Sequence, residues 1–551
     1  MDNKKVYDNC RKIVSGMEAV QQNWIPTWQS IKDAIGTNLG KFNNDVLKNY
    51  QEIVNPQDII NNNPLNYVRI FASGMMSGMV SQSRKWFDLR KKTTDEKGSE
   101  RNKFLEYFTK EMNNIFSSSN FYDVMFPCFK EYSIYAIMCI YAEEDFEDVV
   151  RFTRFTAGEY MIANDRKGKP NTFARKFGMT VSQLVDMFGI ENVSNSVSTL
   201  YNNQNYNQLV DVVHLITENN NRDVFSKLSK NKRYASYYYE EKSNEYRFLK
   251  ISGYDKFPIF FTKWETVLNS DVYGVDSPGF LAKGDCNTLQ RVEEDKLYGM
   301  QKQYNPPVIA DNDIEDLDLN PGGITTINPV NAGGVGVKPI EVKNFNIQDV
   351  EYSISRIEQR ISTYFYADLF LMLMQSNDVN KTATEVRARL EENKLTLSPA
   401  LEKINKDILS PIIEYVADIM IRNGIIEIPE ELQGEDIEIE YVSIIAQAQK
   451  MIGSQAVEQF MSFIGNVSAV KPDIVDNVNF DRLAKLYGEK LAIDDSLFNS
   501  EMDIKRIREN RDMQNQQIQN QQMMTNSVNA AKVLSDTEIR ENTALSELMG
   551  E

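Results

Sequence analysis

The sequence predicts an α+β chain, mainly α, organised around a helical stalk. Three observations carry that reading. Two long amphipathic helices flank a Pro/Gly-rich insert between Pro278 and Phe370. From about residue 130 to 277 the apolar period shifts from helical toward two. Before and after these parts the helical spacing returns. At 551 residues the chain is too long for one hydrophobic core, so several domains are expected.

Residues 1 to about 125 read mostly helical. Trp24, Ile25, Trp28, Ile31 and Ile35 recur near helical spacing, with Pro26 opening the turn. Leu65, Val68, Phe71, Ala72, Met75, Met76 and Met79 line one broad face. Ser73, Gly74, Ser77 and Gly78 leave the other side open to close approach. Arg84 to Leu89 looks like a strand start, and Phe104 to Phe116 like another helix. Strand candidates then follow at Ile134 to Tyr141, Arg151 to Phe155, Val210 to Thr217, Tyr234 to Glu240 and Tyr246 to Ile251, all rich in Tyr, Phe, Val and Ile. A short helix, Val181 to Phe188, interrupts them behind Thr180 as its cap.

The stalk comes next. Its first helix runs from about Pro278 to Tyr304, and its second, from Asn346 to Phe370, places Ile347, Val350, Ile354, Ile357, Ile361 and Tyr364 on one face. At 1.5 Å per residue the first spans about 40 Å. The insert between them carries Pro306-Pro307, Pro321-Gly322-Gly323 and Gly333-Gly334. Such a stalk is expected to need copies of itself to cover its apolar stripe. Beyond a polar loop, Thr382 and Glu385 form a capping box. The long helix that follows is interrupted at Ser398-Pro399 and Ser410-Pro411, where a missing N–H and a ring clash should kink or restart it. Gly424 closes it. Ile437, Ile439 and Tyr441 alternate with Glu438 and Glu440 as a strand with one wet face. The Gln/Asn-rich stretch from Met513 to Met524 reads equally as a disordered tail or as a polar helix ordered only in an oligomer.

Composition excludes much. The net charge of −18 argues against a protein that grips nucleic acid by neutralising phosphates, and permits one that lets it slide past. No stretch approaches the ~20 apolar residues that span a bilayer. Four scattered cysteines give neither a zinc site nor a disulfide framework, and the polar start lacks a signal core; synthesis and use in a cytoplasm follow. One histidine, His214, excludes two-histidine metal sites, and its apolar surroundings read as a partly buried structural position. No GxxxxGK[ST] loop exists; Ala332 to Lys338 lacks its Gly-Lys-Ser/Thr element and precedes Pro339, so it reads as a surface loop. The acidic clusters at Glu143 to Asp145, Asp311 to Asp318 and Glu435 to Glu440 lack calcium-loop spacing and default to solvated faces. No cofactor is expected, and the chain does not read as an enzyme.

An ordered series of segments resembles the head-to-tail connector, or portal, proteins of short-tailed bacteriophages. It includes Ala72 to Gly78 with Trp86 to Leu89; Pro258 to Trp264, Tyr273-Gly274 and Ser277-Pro278; Leu289 through Tyr304 into Pro306-Pro307; Pro321-Gly322; Thr382 to Val386; Ser398 to Leu401; Asp407 to Pro411; Ile437 to Ser443; and Ala446 to Lys450. One departure is Lys381, where an apolar residue is usual. The resemblance implies a dodecameric ring at one vertex of the virion head, passing double-stranded DNA inward at packaging and outward at ejection. It implies a wing (1–277), a first stem helix (278–304), a clip (305–345), a second stem helix (346–370), a channel loop (371–381), a kinked wing helix and strand (382–442), and a crown with a C-terminal helical barrel (443–551). The implied partners are further copies, the DNA, terminase, a tail adaptor, the major capsid protein and scaffolding or internal core proteins, with no membrane. A terminase-type enzyme and a virion scaffold without a channel are the competing readings.

Within that frame the expected DNA-facing loop is Gln375, Ser376, Asn377, Asp378, Asn380 and Lys381, against the plain alternative of a helix–helix connection. The expected stem contacts between subunits are Leu289, Val292, Val350, Ile354, Ile357 and Ile361. The expected clip surface is Asp311, Asp313, Glu315, Asp316 and Asp318, which calls for a basic partner. Lys283, Arg291, Lys296, Lys302, Arg356 and Arg360 are expected in lumenal rings or, for most, in salt bridges between subunits.

Overall fold

The computed structural model describes residues 3–42, 59–91, 100–220, 222–223, 225–226, 228–243, 245–268, 270–309, 338–339, 346–375, 397–429, 437–442, 454–468, 471–490 and 501–535. It is mixed, with helices dominating, and falls into two compact units. One comprises Met1–Arg90 and Glu106–Gln449, the other Lys91–Leu105 and Lys450–Glu551.

The first unit opens with α1 (Asn3–Gln22) and α2 (Ile25–Ile35), the latter with a proline in its first turn. α3 (Asn63–Met79) follows, then β1 (Phe87–Lys91), α4 (Glu100–Ser118), most of which lies in this unit, and α5 (Phe121–Tyr135). α5 covers the start of the strand expected from Ile134. Ala136 turns left-handed at φ 61, and β2 begins at Ile137 and ends at Asp145. Its neighbours are β3 (Val149–Phe155) and β9 (Ile259–Lys263), both antiparallel to it.

A second, five-stranded antiparallel sheet runs in the order β4 (Tyr160–Asn164), β5 (Pro170–Thr180), β6 (Leu209–Glu218), β7 (Tyr234–Glu240) and β8 (Lys250–Tyr254). Each face of this sheet is covered. α1 lays Tyr7, Cys10, Val14 and Met17 on Ala174, Val213, Leu215 and Tyr239. On the other face α6 (Val181–Phe188) and α7 (Asn195–Asn202) bury Leu184, Phe188 and Val197 against Val212 and Tyr238. α6 has the expected Thr180 cap, completed to a capping box by Gln183. The sheet contains more strand than expected. In β5, Asn171, Arg175 and Lys176 break the apolar alternation, and β8 begins four residues later than Tyr246, which is left-handed at φ 51.

α8 (Pro278–Tyr304) has the expected bounds. The ends of the insert meet as a two-residue ribbon, β10 (Val308–Ile309) with β11 (Lys338–Pro339). The second stalk helix is not continuous. α9 (Ile347–Tyr364) stops, Tyr366 sits at φ 52, and α10 (Ala367–Gln375) starts anew. Further on, α11 covers 397–404, a π turn spans Asn405–Leu409, and α12 runs Ser410–Arg422. The helix thus widens by a π turn just before Pro411, the site where an interruption was expected. Gly424, at φ 67, ends it: its N–H reaches the Ile421 carbonyl and that of Ile425 the Met420 carbonyl. β12 (Ile437–Tyr441) pairs with β1.

The second unit contains helices Ser454–Ser468, Phe480–Lys490 and Glu501–Ser535. The Gln/Asn-rich stretch is therefore helical, and residues 505–529 are exposed along its whole circumference.

Candidate functional site: a helical hairpin and its anchor

α8 starts where the chain has no room for a side chain. Ser277 sends its hydroxyl to the Ile134 carbonyl (3.2 Å), and a Cβ on Gly279 would lie 2.4 Å from that same oxygen. Pro278 then supplies a φ preset for the first helical turn. At the other end Asn305 caps onto Gln301, ahead of the two prolines. The returning helix α9 is opened by Asn346, whose side-chain oxygen accepts the Gln348 N–H at 3.1 Å.

Between the helices Ala282, Cys286 and Leu289 of α8 are buried with Ile354, Ile357 and Ile361 of α9. Charged pairs flank this seam. Arg360 forks onto Asp285, Nη2 to Oδ1 at 2.6 Å and Nε to Oδ2 at 3.2 Å. Lys296 lies between Glu293 (2.5 Å) and Glu351 (3.1 Å); Glu293 foremost, and then Glu351, hold its ammonium above the usual lysine range.

A polar latch ties the hairpin to the segment before α3. Gln290 Oε1 accepts the N–H groups of Ile60 (2.9 Å) and Asn61 (3.0 Å), while Gln290 Nε2 donates to the Asn61 carbonyl at 2.7 Å. Asn61 Nδ2 donates to Glu293 on α8 and to Glu358 on α9, so one amide bridges both helices. α3 then holds α10. The Phe370 ring occupies the notch at Gly74, where a Cβ would lie 2.0 Å from the ring, and meets Phe71 edge-on at 5.5 Å.

Residues 7–498 match the family described as bacteriophage head to tail connecting protein. The chain belongs to this family. It is 35% identical over 481 residues to the portal protein of Salmonella phage epsilon15, covering 87% of this chain and 86% of that one. It is 32% identical over 534 residues to the probable portal protein of Bordetella phage BPP-1, covering 96% and 95%. Among solved structures, the neck of an empty GTA particle computed with C6 symmetry aligns with 75% of this chain and 86% of that chain, at 11% identity and a TM-score of 0.35.

In this connector the residues expected as stem contacts lie at different depths of the hairpin. Leu289, Ile354, Ile357 and Ile361 are buried within the single chain, and Val292 and Val350 are half-buried. α8 and α9 face each other, so each covers the other's stripe without a second copy. The apolar side chains left outside are Leu281, Leu297, Tyr298, Tyr304 and Tyr352, from 45% to 81% exposed. The sequence signal for them was a set of apolar residues scattered on the charged faces. Of the expected basic residues, Lys296 and Arg360 pair within the chain and Arg356 lies over the Tyr352 ring. Lys283, Arg291 and Lys302 have no carboxylate within 4 Å among the described residues. Gln375 is the last residue of α10. Ser376, Asn377, Asp378, Asn380 and Lys381 lie outside the described residues, as do Thr382 to Glu385, Asp311, Asp313, Glu315, Asp316 and Asp318.

His214 is buried rather than partly so. It shares a 3.0 Å hydrogen bond with Ser236 and stacks on Tyr238 with ring centres 3.9 Å apart. Burial, with Arg175 and Lys250 adding to it, pushes its pKa well below the usual range, so the ring is neutral. At the acidic turn Glu143 accepts the Tyr141 hydroxyl, Glu144 pairs with Arg422 at 2.7 Å, and Asp145 accepts the N–H groups of Glu147 and Asp148. Among the described residues no cluster of His, Cys, Asp or Glu is placed to hold a metal ion, and no helix is long and apolar enough to cross a membrane.

Proposed function

We propose that twelve copies of this chain close into a ring at one vertex of a phage head, and that double-stranded DNA enters and leaves the head through its channel. The observation that carries the reading is the agreement, over 96% of the chain, with a protein named as a probable portal protein. α8 and α9 serve as the stem and the insert 305–345 as the clip, where terminase docks during packaging and a tail adaptor afterwards. The acidic residues Asp311 to Asp318 call for a basic partner there. The channel loop expected over 371–381 starts later, since α10 runs through Gln375; residues 376–381 form it, and their nearly neutral polar side chains suit passing contact with a sliding phosphate backbone. The parts before α8 form the wing, facing the capsid protein, and the last helices form the crown and barrel, facing scaffolding or internal core proteins.

Two features of the single chain support a ring. Leu281, Leu297, Tyr298, Tyr304 and Tyr352 on the hairpin are uncovered, and so are Met513, Ile518, Met523, Met524 and Val528 on Glu501–Ser535. A closed ring offers each copy two neighbours to cover them. The net charge of −18 per copy disfavours sticking of DNA. The role is structural, with no chemical step assigned to the chain.

Electron micrographs of the purified protein are expected to show rings with a central hole. A monomer under all conditions by light scattering would overturn the reading, and solid particles would favour a scaffold without a channel. Deleting 376–380 is expected to leave rings intact and impair packaging or retention of DNA; unchanged packaging would remove the loop's role.

A further inference from the structure

Two connections of the first unit each leave an aromatic ring with nothing on it. The first joins β2 to β3. β9 pairs with β2 only from Ile137 to Tyr141, so the last rungs, Glu143 with Arg151 to Asp145 with Val149, have no third strand. Asp145 accepts the N–H groups of Glu147 (2.8 Å) and Asp148 (3.4 Å). Val149 is left-handed at φ 69, and the Val150 N–H closes on the Asp148 carbonyl at 2.8 Å, a three-residue turn that strains a β-branched side chain. This turn holds Phe146 fully exposed. Residues 143–148 carry five carboxylates and no cation. Glu144 pairs with Arg422, while Glu147 and Asp148 make no ion pair among the described residues. The second connection joins β6 to β7 at the end of the five-stranded sheet, and its charge is inverted. Residues 219–233 carry five cations and one carboxylate, in a chain of net charge −18. Lys232 pairs with Asp255 and Arg233 lies over the Tyr234 ring, but Arg222 and Lys230 are exposed and make no ion pair among the described residues. Phe225 is 97% exposed and Leu228 60%.

We infer that these are the two halves of one contact between neighbouring copies: the β2–β3 turn of one chain sets Phe146 beside Phe225 and Leu228 on the β6–β7 loop of the next, with Glu147 and Asp148 against Arg222 and Lys230. The occupant of each half is a second copy because the halves match in three respects. They are opposite in charge, each has two charged side chains without a partner, and each has an uncovered ring. Neither half suits a copy of itself, since five like charges would face five. The two surfaces differ, so the contact is head to tail, the kind that closes a ring. It rests on the reading above that copies of this chain form one. The apolar side chains supply the affinity and the charges the register, since exposed ion pairs alone are worth little.

The four native cysteines are buried, so new cysteines at positions 146 and 225 oxidise selectively. Assembled F146C/F225C protein is expected to give a ladder of covalent multimers on a non-reducing gel, while F146C and F225C alone give dimers at most. E147K/D148K and R222E/K230E are each expected to raise the concentration for half assembly, followed by light scattering, about tenfold or more. The four changes together are expected to bring it back to within about threefold of wild type. E147K/D148K combined with K5E/K12E, two exposed positions on α1, has the same net charge and is expected to stay deficient, which separates a local match from overall charge. All the changes lie on exposed side chains, and unchanged melting by circular dichroism checks that each variant folds. Rings that form normally with either reversal and give no ladder overturn the contact and leave the connector reading intact; the two turns then face other proteins. A disulfide confined to single chains counts against the contact equally. A chain that stays monomeric under all conditions overturns both.

Discussion

Asn61 and Glu358 meet across 297 positions of sequence, the Asn61 amide donating to the carboxylate at 2.8 Å. The same amide donates to Glu293 at 2.9 Å, so a short segment ahead of α3 staples α8 to α9. Two carboxylates converge on that amide, and among the described residues only Glu293 of the two also has a cation, Lys296 at 2.5 Å. Asn61→Ala strips one donor from each and is expected to cost about 2 kcal/mol, read as a lower midpoint in urea. Asn61→Asp adds a third negative charge and is expected to cost more than the alanine. An aspartate as stable as wild type would mean that the carboxylates are not held by this amide.

The buried seam of the hairpin makes a second prediction about order of events. Ile357 is 6% exposed and Ile361 fully buried in one chain. Ile357→Ala is expected to destabilise the monomer by about 3 kcal/mol. Ile354→Asp with Ile357→Asp places unpaired carboxylates in an apolar seam and is expected to unfold the hairpin before any ring can assemble. Circular dichroism of the dilute chain checks this. Monomers that melt as wild type but never form rings would return the stripe to contacts between copies.

Glu131 gives the pH dependence. It is buried beneath the turn after β3, where its carboxylate accepts the Thr156 hydroxyl and the Ala157 N–H. Thr156 in turn accepts the Gly40 N–H at 2.7 Å, tying in the segment after α2. Burial pushes the carboxyl up to about 7 from 4.5; the hydrogen bonds from Thr156 and Ala157 and the Arg154 charge oppose it, while Glu159 reinforces it. The folded pKa lies above the unfolded one, so this group's stabilisation is fully present below about 4.5 and is lost as pH rises to about 7. The loss is on the order of 3 kcal/mol. Glu131→Gln is expected to flatten the stability profile over that window and to exceed wild type at pH 8. Parallel profiles for the two proteins would show that the carboxyl titrates normally.

Much of the helical architecture is legible in the sequence because it rests on local chemistry. α6 has its Thr180–Gln183 box, α8 its Ser277-Pro278 start, α12 its Gly424 stop, and each lies where spacing and caps put it. The break at Tyr366 is not legible, because neither a glycine nor a proline marks it between Ile347 and Gln375. β5 is hidden for a related reason. Arg175 lies between the Phe155 and Phe177 rings, so a charge sits where alternation demands an apolar residue. The stem stripe was legible as apolar but not as to its partner, since periodicity gives a buried face without naming what buries it. Latch residues such as Asn61 and Gln290 are polar and unpatterned, and only the fold brings them together.

The last prediction concerns the π turn before Pro411. The Ser410 N–H reaches the Asn405 carbonyl, five residues back, and Tyr441 of β12 grips the same two residues. Its hydroxyl donates to the Asn405 carbonyl at 3.2 Å and pairs with the Ser410 hydroxyl at 2.6 Å. Burial pushes this phenol up to about 12, so it remains a donor at physiological pH. Pro411 explains why the turn is wide: it lacks the N–H of an ordinary turn and its ring crowds the Asp407 carbonyl. Tyr441→Phe is expected to cost about 1 kcal/mol and to speed amide exchange at Ser410. Pro411→Ala restores the missing donor and is expected to let the turn tighten toward α. The two effects then couple: in the Pro411→Ala background Tyr441→Phe should cost less, because the hydroxyl no longer has a π turn to bridge. Equal costs in both backgrounds would show that Tyr441 acts on β12 alone.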